Sequence, residues 1–244
     1  MIKENEIIFV IPAYNEELNI SKVIDEINSE FKKVGIVIIN DCSRDKTQDI
    51  VIKKDVTCIS QPFNMGYAMA IQTGIKYAKQ NGYKFVIQFD ADGQHIASEA
   101  RKLLNKMKET NADIVIGSRF LEKNGYKQTF FRKLGTNIFS FLIKLFCKKK
   151  ISDPTSGFQC LGKKAIDRFS TFGMYPEFPD ANLIIELLYN GFNIEEIPVK
   201  MRLREFGESM HGGILKPIKY MISILYTICI IILRNTFRRR GAKA

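Results

Sequence analysis

Along the first half of the chain, short and wholly apolar runs alternate with amphipathic stretches, and each of the main runs ends in a polar cluster. Ile7-Ile8-Phe9-Val10-Ile11 is apolar at every position, the pattern of a parallel strand covered on both faces. Ile36-Val37-Ile38-Ile39 and Phe85-Val86-Ile87-Gln88-Phe89 repeat that pattern, and Thr57-Cys58-Ile59 and Asp113-Ile114-Val115-Ile116-Gly117 read as further strands. Asn15-Glu16-Glu17 opens an amphipathic segment with Leu18, Val23, Ile24 and Ile27 on one side, while residues 47–53 and 66–81 read as helices. Strand–helix alternation of this kind predicts right-handed crossovers and an α/β fold with a mostly parallel, doubly wound sheet.

Ligands of such sheets bind beyond the carboxyl ends of the strands. Pro12-Ala13-Tyr14-Asn15-Glu16, Asn40-Asp41-Cys42-Ser43-Arg44-Asp45 and Asp90-Ala91-Asp92-Gly93-Gln94 each follow a buried strand directly, so all three are expected along one sheet edge. Neither a Gly-x-Gly-x-x-Gly loop nor a Walker A sequence is present, which disfavours dinucleotide and P-loop readings.

The second half is greasier. Residues 130–146 read as a helix with Phe131, Leu134, Ile138, Leu142 and Leu145 near helical spacing. Phe130, Phe139, Phe141, Ile143 and Phe146 crowd its other side, too many for a simple surface helix. Asp153-Pro154-Thr155-Ser156-Gly157-Phe158 marks a turn, residues 182–189 a helix, and residues 193–201 a strand pair broken near Pro198. Residues 218–233 are apolar except for Lys219, Ser223 and Thr227, yet fall short of the roughly 20 apolar residues of a comfortable bilayer span. Positive charge on both sides gives that segment no orientation. It reads as a membrane-seated or re-entrant helix, or as one paired with a second subunit or a small membrane partner. A catalytic domain over residues 1–213, containing an amphipathic interface helix near 130–147, is thus expected ahead of an apolar helix and basic tail over 214–244.

Charge changes the picture by its location. The net +11 could suggest nucleic acid, but residues 122–150 carry eight Lys/Arg against one Glu, and residues 215–244 carry seven Lys/Arg and no acid. Each stretch is +7, so together they exceed the net +11 and leave −3 for the rest of the chain. Both are interleaved with long aliphatic and aromatic side chains, which an anionic membrane surface favours, and no nucleic-acid reader motif is found. The five cysteines are odd in number and lack Cys-x-x-Cys spacing, against a zinc site or disulfide framework and in favour of a reducing compartment. Residues 1–6 run straight into the first apolar run, so no N-terminal signal is expected.

Asp90 and Asp92 flank one small residue at a strand end, so both carboxylates can reach the same space. Hard cations such as Mg²⁺ and Mn²⁺ take oxygen ligands and keep positions open for substrate phosphates. Gln94 offers a further oxygen and His95 a supporting contact.

These clusters, together with Val10-Ile11, Glu17, Asn64-Met65-Gly66, His95, Gly117-Ser118-Arg119-Phe120 and Asp153-Pro154-Thr155-Ser156-Gly157-Phe158, resemble the family 2 glycosyltransferases over residues 5–210. Within that family the chain looks most like the polyprenyl-phosphate (dolichyl-phosphate) sugar synthases. The resemblance implies a nucleotide-diphospho-sugar transferase (GT-A type) fold and transfer from a nucleotide-diphosphate sugar, with inversion, at the cytoplasmic face of the cell membrane. It places Pro12, Tyr14, Glu16 and Asp41 at the base and ribose, and Asp90 by the ribose and diphosphate. Asp92 and Gln94 join it as ligands of Mg²⁺ or Mn²⁺. Arg119, Arg132 and Thr136 match phosphate-binding positions. Asp153 matches a candidate base, required if the acceptor is a glycan hydroxyl rather than a lipid phosphate, and its other reading is a turn residue ahead of Pro154. The family's lysine after residue 209 is Met210 here, so Arg202 or Arg204 is expected to supply that phosphate contact. The chain has no Trp, hence no Gln-x-x-Arg-Trp motif of processive synthases, and single-sugar transfer is expected. An inactive nucleotide-binding subunit that anchors a membrane partner is disfavoured by the presence of Asp90, Asp92, Gln94 and Asp153.

Overall fold

A computed structural model describes residues 2–121, 130–203 and 215–241. The chain divides into two compact units, the first made of residues 1–126, 156–177 and 193–207, the second of 127–155, 178–192 and 208–244.

The first unit is built on a seven-stranded sheet. Its strands are β1 (Ile7–Ala13), β2 (Gly35–Asn40), β3 (Thr57–Ser60), β4 (Phe85–Gln88), β5 (Ile114–Ser118), β6 (Gln159–Leu161) and β7 (Ile194–Pro198), in the spatial order β3-β2-β1-β4-β6-β5-β7. All neighbours run parallel except β6, which pairs antiparallel with both β4 and β5. The order reverses between β1 and β4, the switch point where the loops leaving two neighbouring strands diverge and open a crevice.

Four helices of this unit cover the sheet's faces: α1 (Ile20–Glu30), α3 (Tyr67–Gln80), α4 (Ala97–Thr110) and α6 (Lys163–Phe169), with α2 (Thr47–Lys53) beside β3. Ile7, Phe9, Ile11 and Ala13 of β1 join one core with Ile20, Val23, Ile24 and Ile27 of α1 and Leu103, Leu104 and Met107 of α4. Val10 points to the opposite face, where α3 comes so close that a Cβ on Gly74 would overlap a Val10 methyl. The two-residue side-chain period of β1 therefore explains why every position in its run had to be apolar.

The structure departs from two sequence-based expectations. The helix expected to open at Asn15-Glu16-Glu17 begins only at Ile20, because Asn15 adopts a left-handed φ of 55°. Leu18, expected on the buried side, is exposed. The region 193–201 forms one strand, β7, followed by an isolated bridge between Met201 and His95 rather than a second full strand.

The second unit holds α5 (Phe130–Cys147), α7 (Ala181–Tyr189) and α8 (Leu215–Gly241). Phe139 and Ile143 of α5 and Ile224, Ile228 and Ile231 of α8 are buried. Tyr220 donates its hydroxyl to Asp180 at 2.6 Å and packs edge-on against Phe178 at 5.2 Å. Arg234 reaches Glu186 at 3.1 Å. Apolar side chains also lie outside this packing: Leu134, Ile138, Phe141 and Leu145 form an exposed stripe on α5, and Ile222, Tyr226, Ile230 and Leu233 are exposed on α8. Among the described residues, no helix is long and apolar enough to cross a membrane.

Candidate active site

The expected polar clusters do sit at one edge of the sheet, at the carboxyl ends of β1, β2 and β4. The loops after β1 and β2 are stitched together. The N–H of Asn15 donates to Ser43 Oγ at 3.0 Å, and Asn15 Oδ1 receives the N–H of Arg44 at 2.8 Å. Glu16 N–H donates to Thr47 Oγ1 at 2.8 Å, Glu17 N–H to Asp45 Oδ2 at 3.0 Å, and Lys46 N–H returns to Glu17 Oε2 at 2.9 Å. These bonds satisfy the N–H groups of Asn15 to Glu17, which a first helical turn would leave without intrahelical partners. Burial would raise the Asp45 carboxyl, but donation from the Thr47 hydroxyl and N–H and from Glu17 N–H outweighs it, and the group is held below its usual range.

Within this frame Pro12 lies in β1 and Tyr14 is exposed just beyond it. Glu16 is nearly buried, and its carboxylate receives Asn19 Nδ2 at 2.7 Å. Asp41 is buried and receives the N–H groups of Met65 and Gly66 at 2.7 and 2.9 Å, so it clamps the loop between β3 and α3. The spacing alone does not predict that clamp, although Asn64-Met65-Gly66 is one of the motifs that carry the family resemblance.

Asp90 and Asp92 follow β4. Asp92 Oδ1 receives the N–H of Gln94 at 3.0 Å, closing a tight turn in which Gly93 takes a φ of 75°. Asp90 Oδ1 receives the Tyr67 hydroxyl at 3.2 Å, and the N–H of Asp90 donates to His95 Nδ1 at 3.0 Å. His95 is buried, stacked on Phe158 with ring centroids 4.5 Å apart and edge-on to Phe89 at 5.2 Å. Desolvation holds its imidazole down at about 4; the Arg119 charge adds to this and the Asp92 charge opposes it. The ring is therefore neutral near pH 7.

Asp90, Asp92 and Gln94 form an oxygen-only donor set of the kind hard divalent cations accept. The amide nitrogen of Gln94 donates to the Arg202 carbonyl at 3.3 Å, so the amide oxygen is the end left as a candidate ligand. Among the described residues, no group of three or more His, Cys, Asp or Glu is arranged to hold a metal by itself. The residues thus fit a cation whose coordination is completed by substrate phosphate, as Mg²⁺ sites commonly are.

The remaining expected residues fall in both units. Arg119 follows β5, with its guanidinium 5.2 Å from the Phe120 ring. Arg202, expected at phosphate, makes a bidentate pair with Glu26, at 2.6 and 3.1 Å. Its backbone also bonds to Gln94, the N–H reaching the Gln94 carbonyl at 2.8 Å. Arg202 is accordingly a brace under the Gln94–His95 segment in this structure, a role its distant partner Glu26 made invisible in the sequence. Thr136 and Asp153 belong to the second unit. Thr136 is buried on α5, and Asp153 is buried with the Thr155 hydroxyl donating to it at 3.2 Å, the turn geometry anticipated for it. Arg132 falls in the first turn of α5, where its side chain lies outside the described residues, as does Arg204.

Comparison with known proteins shows what the chain as a whole is similar to. UDP-N-acetylglucosamine–dolichyl-phosphate N-acetylglucosaminyltransferase of Methanococcus voltae is 26% identical over 240 residues, covering 90% of this chain and 94% of that protein. A dolichyl-phosphate beta-glucosyltransferase of Trichomonas vaginalis is 29% identical over 234 residues, covering 88% of this chain and 71% of that protein. Among solved structures, glucosyl-3-phosphoglycerate synthase from Mycobacterium tuberculosis, in complex with Mn²⁺ and UDP-glucose, superposes with a TM-score of 0.66 at 20% identity. The match covers 91% of this chain and 78% of that one. At that identity the likeness is one of fold, an α/β GT-A-like architecture with a mostly parallel, mixed sheet. Residues 8–169 match the family's sequence profile, and on that span, with its likeness to polyprenyl-phosphate sugar synthases, the chain belongs to glycosyl transferase family 2.

Proposed function

We propose that this protein moves one sugar from a nucleotide-diphosphate sugar to a polyprenyl phosphate, with inversion at the anomeric carbon, at the cytoplasmic face of a membrane. The observation that carries the reading is the carboxylate pair Asp90 and Asp92 at the end of β4, beside the switch point and the stitched loops of β1 and β2. The dolichyl-phosphate relatives support the lipid-phosphate acceptor.

Transfer breaks the bond between the anomeric carbon and the nucleotide diphosphate, and the bonding pair leaves with the diphosphate. A divalent cation bound at this site would supply Lewis-acid stabilisation of that charge. The chain's own contribution is preorganisation: Asp90, Asp92 and Gln94 are set by the Gly93 turn and by Tyr67, His95 and Arg202, and Arg119 adds a cationic group beside them. A lipid phosphate oxygen is already anionic near pH 7 and attacks the opposite face of the sugar without losing a proton to a base. A hydroxyl acceptor would need such a base. The full burial of Asp153 and its bond from Thr155 favour the turn role, and with it the phosphate acceptor.

Membrane association is supported by the exposed apolar stripe of α5 and by the lysines on and after that helix, Lys133, Lys144 and 148–150. The test is incubation of the protein with Mn²⁺ or Mg²⁺, labelled UDP- and GDP-sugars and vesicles containing polyprenyl phosphate. A lipid product with one phosphate, labile to mild acid, is expected. A product stable to mild acid would replace the lipid phosphate with a glycan hydroxyl as acceptor, and unchanged turnover in Asp92→Ala would remove the metal role.

A further inference from the structure

We infer that Tyr67 is a positioning residue of the donor site, whose hydroxyl fixes the Asp90 carboxylate in a space that Gly157 keeps open for it. The inference deepens the glycosyltransferase reading and rests on it for the ligand, a nucleotide diphosphate with its divalent cation. All three residues belong to the first unit.

Tyr67 reaches Asp90 from a fixed root. It is the first residue of α3 and directly follows Gly66, whose N–H is held by Asp41 at 2.9 Å. The Gly66 carbonyl accepts the N–H of Ala70 at 3.1 Å, and farther along α3 lies close against β1 at Gly74 and Val10. From that root the Tyr67 hydroxyl donates to Asp90 Oδ1 at 3.2 Å. The side chain therefore joins the Asp41 clamp, just beyond β2, to the acidic pair that follows β4.

Gly157 supplies the other half of the arrangement. It does not take a left-handed φ, so backbone conformation does not account for the glycine. An added Cβ would stand 2.8 Å from the Tyr67 hydroxyl, too close for a real contact, and 3.7 and 3.8 Å from the two Asp90 carboxylate oxygens, ordinary contacts. The segment is tied down on both sides of Gly157: Ser156 Oγ donates to the Gly117 carbonyl at 2.6 Å, and Gly117 N–H to the Phe158 carbonyl at 2.8 Å. The hydroxyl at the end of Tyr67 is therefore what would give way. Seen from that hydroxyl, the added Cβ and Asp90 Oδ1 lie less than a right angle apart, so yielding lengthens the bond to Asp90. A tyrosine that only packed at the start of α3 would leave Gly157 unexplained. A hydrogen bond behind a ligating carboxylate orients it before the ligand arrives, and its loss typically costs about 10–100-fold in metal affinity.

The experiment titrates Mn²⁺ into the protein with UDP or GDP present, for the wild type, Tyr67→Phe, Gly157→Ala and the double variant. Electron paramagnetic resonance reads the protein-dependent loss of the free Mn²⁺ signal, and circular dichroism and melting temperature follow the ligand-free proteins. Each single variant should keep its fold and bind Mn²⁺ about tenfold more weakly in the presence of nucleotide. The double variant should be no weaker than Tyr67→Phe, because phenylalanine has no hydroxyl for the new Cβ to displace. A purely structural Tyr67 would lower the melting temperature and leave Mn²⁺ affinity unchanged, which overturns the inference. So would losses that multiply to about a hundredfold in the double variant, as two independent sites would give. If one single variant does not fold, the other decides by the same titration. A wild type that binds Mn²⁺ with neither nucleotide sinks the glycosyltransferase reading and the inference with it. Variants that match a binding wild type sink the inference alone.

Discussion

The carboxylate of Asp41, just beyond β2, receives the N–H of Gly66, the residue that caps α3, at 2.9 Å, and its second oxygen receives Met65 N–H at 2.7 Å. A residue expected at the base or ribose therefore also shapes the loop that borders that pocket. Asp41→Asn puts an amide NH₂ against one of the two donors and removes the charge from the other bond. Urea denaturation should show a loss of about 2 kcal/mol, with weaker nucleotide binding in the same variant. Gly66→Ala tests the loop from its other end. With φ 85° and ψ 165°, Gly66 occupies a region essentially reserved for glycine, while an added Cβ meets nothing within 4 Å. Its cost is then purely conformational, about 1–3 kcal/mol.

Much of this frame was legible because it is periodic. The runs at Ile7, Ile36 and Phe85 had no polar face to offer solvent, so they had to be covered strands, and the clusters after them had to share an edge. What escaped is what long-range pairing decides. Asn15-Glu16-Glu17 carries a plausible helix start, yet Asn15 takes a left-handed φ of 55° where it is bonded to Ser43 and Arg44 of the loop after β2, and the helix starts only at Ile20. The three-residue β6, which runs against its neighbours, is too short to show a period. The sequence offered His95 as a supporting contact for the metal site, but its burial against Phe89 and Phe158 depends on residues up to 63 positions away in the chain.

Stability should fall in mild acid, with His95 as one identifiable cause. Burial holds the folded-state imidazole at about 4, against an ordinary value of 6.5. Above 6.5 the ring is neutral in both folded and unfolded chains and contributes no pH dependence. Between 6.5 and about 4 only the unfolded chain takes up the proton, so folding stability is lost as pH falls through that window. The full displacement corresponds to about 3 kcal/mol. Denaturation midpoints at pH 7 and pH 5 should therefore differ more for the wild type than for His95→Gln, which has no proton to take up. Equal pH dependence in the two proteins would show that the imidazole does not contribute.

Glu26 and Arg202 separate bracing from phosphate binding. The bidentate pair is partly exposed, with side chains 27% and 46% accessible, so its coupling in a double-mutant cycle should be about 1 kcal/mol or less. Glu26 Oε1 also receives the N–H of Ala97, the first residue of α4, so Glu26→Gln should cost somewhat more than Arg202→Met. If Arg202 acts through the brace, Arg202→Met and Glu26→Gln should raise the KM for the donor by similar factors. A large rise for the acceptor in Arg202→Met alone would return that arginine to the phosphate.

The stripe on α5 gives the membrane reading its sharpest test. Leu134, Ile138, Phe141 and Leu145 are spaced by four, three and four residues, which puts them on one side of the helix, while Phe139 and Ile143 face the interior of their unit. Replacing exposed Phe141 and Leu145 by Asn should leave the melting temperature within a degree or two, since neither side chain is buried on folding. Transfer of one such side chain into an apolar phase is worth about 1.5–3 kcal/mol when complete, so the double variant should lose at least tenfold in vesicle binding in sedimentation assays. Lys133, Lys144 and residues 148–150 predict a second, separable dependence. Binding should strengthen with anionic lipid by about 1 kcal/mol for each lysine near the surface, and weaken with salt. A surface that served instead to pair two copies of the chain would respond to the Asn substitutions with a change in sedimentation velocity. It would show no dependence on anionic lipid, so the two readouts together assign the stripe.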